Sequence, residues 1–98
     1  MDLKLFYEDN RIYSKREDGL LLAEVTFPAR DEKRVDVNHV YVDESLRGQG
    51  IASDMMLEAY NFIKGKDLKI VAKCPYAISW FKKHPKYQDI VINVKTKS

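Results

Sequence analysis

Two of the chain's four glycines, Gly48 and Gly50, flank Gln49 in the run SLRGQGIAS. This run lies between an alternating apolar segment and a segment of helical periodicity. A strand, a glycine loop and a helix in that order form a recurring cradle for phosphate. The N–H groups of the helix's first turn point outward without partners, and the helix dipole adds positive charge there. Glycine lets an anion approach the backbone with no Cβ in the way. Two phosphate-binding patterns fail. G-x-x-x-x-G-K-[ST] is absent, and the dinucleotide fingerprint G-x-G-x-x-G has Ser53 in place of its third glycine. The latter also needs further β-α-β units that the residues after Gly50 cannot supply. What remains is Arg47-Gly48-Gln49-Gly50-Ile51-Ala52, an R-x-x-G-x-A hexapeptide.

The other residues with chemistry to offer are few. Cys74 is the only cysteine, so no internal disulfide exists, which fits a reducing cytosol. A lone cysteine in a small domain is more often a core hydrophobe than a nucleophile. His39 alternates with Val35 and Val37, which leaves a hydrogen-bonded structural imidazole and a functional one both open. His84, just before Pro85, reads as helix-end chemistry. Two histidines and one cysteine without close ligand spacing make a poor zinc set, so no metal site is expected.

These residues must be positioned by one small domain, since 98 residues leave no room for a second. A content of 45% hydrophobic residues suffices for one core. No window approaches the 18 apolar residues of a membrane span, and the start MDLKLFYEDN lacks the features of a secretory signal, so a cytoplasmic protein is expected. Residues 1–49 carry 8 Lys/Arg against 11 Asp/Glu, and residues 50–98 carry 9 Lys against 4 acids. The basic half suits phosphates, on a polymer or a cofactor. It contains no arginine, however, and the bidentate forks common in base reading are missing, which argues against sequence-specific nucleic-acid binding.

LKLFYED, RIYSKR and LLLAEVTF alternate as strands, with Asp9-Asn10 and Asp18-Gly19 as tight turns. After the polar loop PARDEK, residues 34–42 predict a fourth strand with Val35, Val37, His39 and Tyr41 on one face. The first half is thus a four-stranded antiparallel meander. Ile51, Met55, Ala59, Phe62 and Ile63 then recur at helical spacing, with Gly65 as the stop. LKIVAK predicts a fifth, central strand joined by this crossover helix and parallel to the fourth. A second helix runs from Pro75 to Pro85, and YQDIVINV offers a turn and a last strand. The fold class is α+β, in the order β-β-β-β-α-β-α.

The hexapeptide resembles the [QR]-x-x-G-x-[GA] pyrophosphate loop of the GNAT acetyltransferase superfamily, whose element order is the one derived above. Ordinary members carry helices between their first two strands. Here tight turns stand instead, which is similar to a minimal GNAT-like subfamily of about a hundred residues. That subfamily is marked by a C-P-[YF] turn, here Cys74-Pro75-Tyr76, and an H-P-x-Y-x-D ending, here His84 to Asp89. The resemblance implies transfer of an acetyl group from acetyl-coenzyme A to an amine, by a monomer or weak dimer. It implies pyrophosphate binding by the backbone of Gly48, Gln49, Gly50, Ile51 and Ala52, with side-chain donors from Arg47 and Ser53. It also implies that the main chain at Tyr41 and Val42 pairs with the pantetheine arm.

The resemblance places Cys74 at the usual Asn position and Phe81 at the position of the usual Tyr acid. Phe81 has no proton to give, which leaves Tyr76 and Tyr87 as candidates. It also places Cys74 and His39, the subfamily's strand-four histidine, near the thioester. His39 could then deprotonate the acceptor amine for direct transfer, or Cys74 could take the acetyl first as thiolate. Competing readings are a non-catalytic coenzyme A-binding module, favoured by the missing helices and Phe81, and a basic-surface interaction domain. Trp80 and Phe81 are expected to pack the second helix. Lys82, Lys83 and Lys86 read as a solvated face, one of which could reach the cofactor's 3′-phosphate.

Overall fold

The computed structural model describes residues 3–95. Three strands open the chain, β1 (Phe6–Glu8), β2 (Arg11–Lys15) and β3 (Leu21–Thr26). They pair antiparallel in sequence order through the two expected turns. At the second turn Gly19 takes φ +92°, and the Asp18 carboxylate accepts from the Leu20 N–H.

The fourth predicted strand is broken in two, β4 (Arg34–Val37) and β5 (His39–Val42). Asn38 donates its N–H to the Thr26 carbonyl at 3.3 Å, while the cross-strand partner of Thr26 is His39. Two residues therefore oppose one, as in a β-bulge, and the side-chain alternation changes phase. Val35 and Val37 are buried, and Val40 and Val42 pack on the same core. His39 and Tyr41 consequently lie on the opposite face from Val35 and Val37, correcting the expectation of one shared face.

Helix α1 (Ile51–Gly65) presents Ile51, Met55, Met56, Ala59, Tyr60 and Ile63 to the sheet, the i, i+4, i+8 stripe of an amphipathic helix. Gly65 is its last residue, but the left-handed residue that turns the chain is Asp67, at φ +61°. The carbonyl of Ile63 accepts from Lys66 and from Leu68, which satisfies an orphan group of the last turn. Strand β6 (Lys69–Ala72) then pairs parallel with β4 from Arg34–Lys69 to Val37–Ala72.

Helix α2 (Pro75–Lys83) begins with proline at its first turn, where the missing N–H costs nothing, and buries Ala77, Trp80 and Phe81. The expected last strand reduces to one parallel bridge, Ile70 to Val91. Asn93 extends it by side chain, exchanging two hydrogen bonds with the main chain of Ala72 at 2.8 and 2.9 Å. The outer edge of β6 is thereby covered. Ile12 and Val25 from the sheet, Phe27 just after β3, Met55 and Ile63 from α1, Ile70 from β6 and Phe81 from α2 form one core.

Candidate functional site

The bulge decides where the sheet opens. Val37 O accepts from both Lys73 N–H at 2.9 Å and Cys74 N–H at 3.1 Å, and beyond that point the chain turns into α2. Strand β5 thus keeps β3 on one side and, among the described residues, has no strand on the other. Asp43 N–H donates to Leu22 O at 2.8 Å, and antiparallel ladders alternate. Tyr41, opposite Glu24, therefore spends its main chain on β3, whereas Val40 and Val42 turn theirs toward the open edge. Of the two residues expected to offer main-chain groups there, Val42 does so and Tyr41 points inward. The preceding residue of that face, Val40, went unnoticed in the sequence, although Val40 and Val42 continue the apolar alternation one phase later.

At the end of this edge, Asp43 caps a short 3-10 turn, Glu44–Leu46, and the chain enters the glycine loop. Gly48 and Gly50 take φ of +82° and +76°, values that side-chain-bearing residues adopt at a cost. A Cβ at either would meet nothing within 4 Å, so the glycines answer to backbone conformation and leave the loop's outer side open. Gly50 caps α1 with no side-chain hydrogen bond, and the first intrahelical bond is Asp54 N–H to Gly50 O at 3.1 Å. Among the described residues, no acceptor within the protein takes the N–H groups from Gly48 to Ser53.

A pocket of about 130 Å³ lies against these groups. Val42, Arg47, Gly48, Gly50, Ile51, Ala52 and Ser53 line it, joined by Leu46 and Tyr76, while Gln49 is exposed beside it. Arg47 donates through Nε to Val42 O at 3.3 Å, which ties the guanidinium to the end of the open edge. Tyr76 sits in the first turn of α2, and its phenol is pushed up by burial and then by the Asp54 charge. It remains an O–H donor at neutral pH. Two wider open grooves, of about 520 and 600 Å³, lie at Asp31–Arg34 and at the β1–β2 turn. Arg34 pairs with Asp31 in the first, and Arg11 with Glu24 beside the second.

Cys74 is half-buried against the core and is the N-cap of α2. His39 is on the outward face of β5, with Nε2 3.4 Å from Glu24 Oε1 and its ring parallel to Tyr41 at 6.5 Å. Among the described residues no hydrogen bond joins His39 to Cys74. Phe81 is fully buried. Tyr87 stacks on Trp80 at 5.5 Å and packs edge-on to Tyr60 at 4.9 Å. Of the two tyrosines left open by the sequence, Tyr76 lines the pocket and Tyr87 is a packing residue.

A sheet that parts beside a glycine loop with free N–H groups, followed by a crossover helix and a parallel strand, is the architecture of the GNAT acyltransferases. The chain belongs to the GCN5-related N-acetyl-transferase family, which it matches over residues 11–90. That family's reaction is acetyl transfer, drawing in general on acetyl-coenzyme A. The chain is similar to Protein NATD1 of Xenopus tropicalis, 35% identical over 54 residues, covering 55% of this chain and 50% of that protein. It is also similar to Protein NATD1 of Danio rerio, 29% identical over 85 residues, covering 85% and 74%. The chain thus spans half the length of the frog relative and about three quarters of the zebrafish one.

Among solved structures, it superposes on a GCN5-like protein from Staphylococcus aureus, assigned as an N-acetyltransferase, with a TM-score of 0.79. The two are 26% identical, over 97% of this chain and 94% of that one. A ribosomal-protein-alanine N-acetyltransferase from Brucella melitensis biovar Abortus shares the fold, at a TM-score of 0.52 and 23% identity over 93% and 68% of the chains.

Proposed function

We propose that this chain moves an acetyl group from acetyl-coenzyme A to an amine, and that the loop Arg47–Ser53 holds the coenzyme's pyrophosphate. The observation that carries this reading is the run of N–H groups from Gly48 to Ser53 with no acceptor among the described residues, lying along one pocket that Gly48, Gly50, Ile51, Ala52 and Ser53 line. Such donors suit an anion of several oxygens, with the α1 dipole adding to them. The side chain of Arg47 and the hydroxyl of Ser53 supply further donors at the same wall. The main chain of Val42 and Val40 offers the open edge on which an amide-bearing arm can pair as an added strand.

Two routes serve the transfer. In the direct route the amine nitrogen attacks the thioester carbonyl, the C–S bond breaks, and coenzyme A leaves as thiolate while His39 takes the amine's proton. The exposure of His39 beside Glu24 supports that role. In the covalent route the Cys74 thiol attacks the thioester carbonyl and its proton passes to coenzyme A, which leaves as the C–S bond breaks. The amine then attacks the acetyl-Cys74 carbonyl, that C–S bond breaks, and the sulfur of Cys74 takes the amine's proton. The N-cap position of Cys74 supports this route, since an anion there meets the favourable end of a helix dipole. No hydrogen bond joins His39 and Cys74 among the described residues, so each route is written on one residue rather than on a dyad.

The test is turnover with acetyl-coenzyme A against a panel of protein, polyamine and small-metabolite amines, read by release of free thiol. Amine-dependent thiol release supports the reading. Tight binding of coenzyme A without release for any amine would reduce the protein to a binding module.

A further inference from the structure

The H-P-x-Y-x-D segment does not touch the pocket, yet it connects to it through one side chain. Trp80 Nε1 lies 2.7 Å from Ser53 Oγ, so the second helix is hydrogen-bonded to the first turn of α1. The direction of this bond is fixed by chemistry. An indole N–H can only donate, so Ser53 accepts and keeps its own O–H to give. The usual local outlet for a serine proton in a helix is the carbonyl four residues back. Here no acceptor among the described residues takes it. Ser53 lines the same pocket as the loop's free N–H groups.

Trp80 is itself immobilised. It is 5% exposed and stacks on His84 at 4.2 Å and on Tyr87 at 5.5 Å. His84 Nδ1 also lies 2.7 Å from the Trp80 carbonyl oxygen. From this arrangement we infer that Trp80 is a positioning residue for the cofactor site. Its indole N–H holds Ser53 Oγ so that the hydroxyl proton is directed to a phosphate oxygen, and His84 and Tyr87 hold the indole. The inference rests on the reading of the loop as a pyrophosphate site and adds to it a role for the C-terminal motif.

Calorimetry with coenzyme A and with pantetheine, on the unaltered chain and on Ser53→Ala, Trp80→Phe and the double variant, tests it. A hydrogen bond to a charged group is worth about tenfold to a hundredfold in affinity. Ser53→Ala should weaken coenzyme A by about tenfold or more, and Trp80→Phe should weaken it by no more than Ser53→Ala does. The double variant should bind no more weakly than Ser53→Ala, and pantetheine binding should be the same in all four. A Trp80→Phe effect that persists undiminished in the Ser53→Ala background overturns the inference, as does unaltered coenzyme A affinity in Ser53→Ala.

Trp80 is the only tryptophan, so its indole N–H resonance gives a second readout should Trp80→Phe not fold. Coenzyme A should move this resonance in the unaltered chain and should no longer do so in Ser53→Ala, and equal shifts in both contradict the inference. Failure of the unaltered chain to bind coenzyme A at all sinks the cofactor reading itself. Normal binding with a silent Ser53→Ala sinks only the role of Trp80.

Discussion

Cys74 and His39 flank the place where the sheet parts, but they address different sides of it. Cys74 packs against the core at the start of α2, and His39 faces outward toward Glu24. If the covalent route operates, acid-quenched protein incubated with acetyl-coenzyme A carries one acetyl on Cys74 by mass spectrometry. An unmodified Cys74, together with full turnover by Cys74→Ala, leaves only the direct route. Phe81 is a separate matter. It is fully enclosed, so Phe81→Tyr buries a hydroxyl rather than restoring an acid. The expected cost is about 1–3 kcal/mol, read as a lowered melting temperature with no gain in turnover. A stable, faster variant would show that this position reaches the reaction after all. The outward turn of His39 was the residue-scale feature least legible in the sequence. A fixed period-two reading carries Val35 and Val37 on to His39, yet Val40 and Val42 restart the apolar alternation one residue late. That phase slip at Asn38 was the available signal of a bulge.

At the scale of elements, the glycine loop was legible because its chemistry is local. Two positive-φ positions at a strand–helix junction call for glycine whatever the rest of the fold does. Gly50→Asp tests what the loop is for. Aspartate tolerates the left-handed region better than most residues, so the fold should survive with a loss of roughly 1 kcal/mol. Coenzyme A binding should be abolished by the carboxylate set against the pyrophosphate, and retained affinity in calorimetry would show the loop to be misassigned. The helices and β6 followed from periodicity and caps in the same way. The C-terminal segment did not, because its pairing is a single bridge continued by the Asn93 amide, which imitates a strand's hydrogen bonds without a strand's pattern. Likewise the turn after α1 falls to Asp67 rather than to the expected glycine, two residues past the helix's end at Gly65 and just before Leu68 leads into β6.

Across the whole molecule, the closing motif joins the two helices to the sheet. Tyr60 O–H donates to Asp89 at 2.6 Å, and Lys64 Nζ donates to the same carboxylate at 2.8 Å, so α1 is tied to the segment after α2. Lys64, and after it Tyr60, hold the Asp89 carboxyl below the usual carboxylate range. A carboxyl depressed in the folded state contributes stability above its ordinary pKa of about 3.9, and that contribution is lost as pH falls through the folded value. The difference in melting temperature between the unaltered chain and Asp89→Asn should therefore shrink as pH drops below about 4. A difference independent of pH would mean that the ion pair contributes nothing. The net positive charge of residues 50–98 finds a use in the same frame, since that half supplies α1, α2 and most of the loop that would meet phosphates.

The most direct test of the account is an amide NMR titration of the intact chain with coenzyme A and, separately, with pantetheine. The loop reading predicts that the amide signals of Gly48 to Ser53 move with coenzyme A and stay largely in place with pantetheine, while Val40 and Val42 respond to both. Unmoved loop amides, with shifts confined to the groove at Asp31–Arg34 or absent altogether, would contradict it.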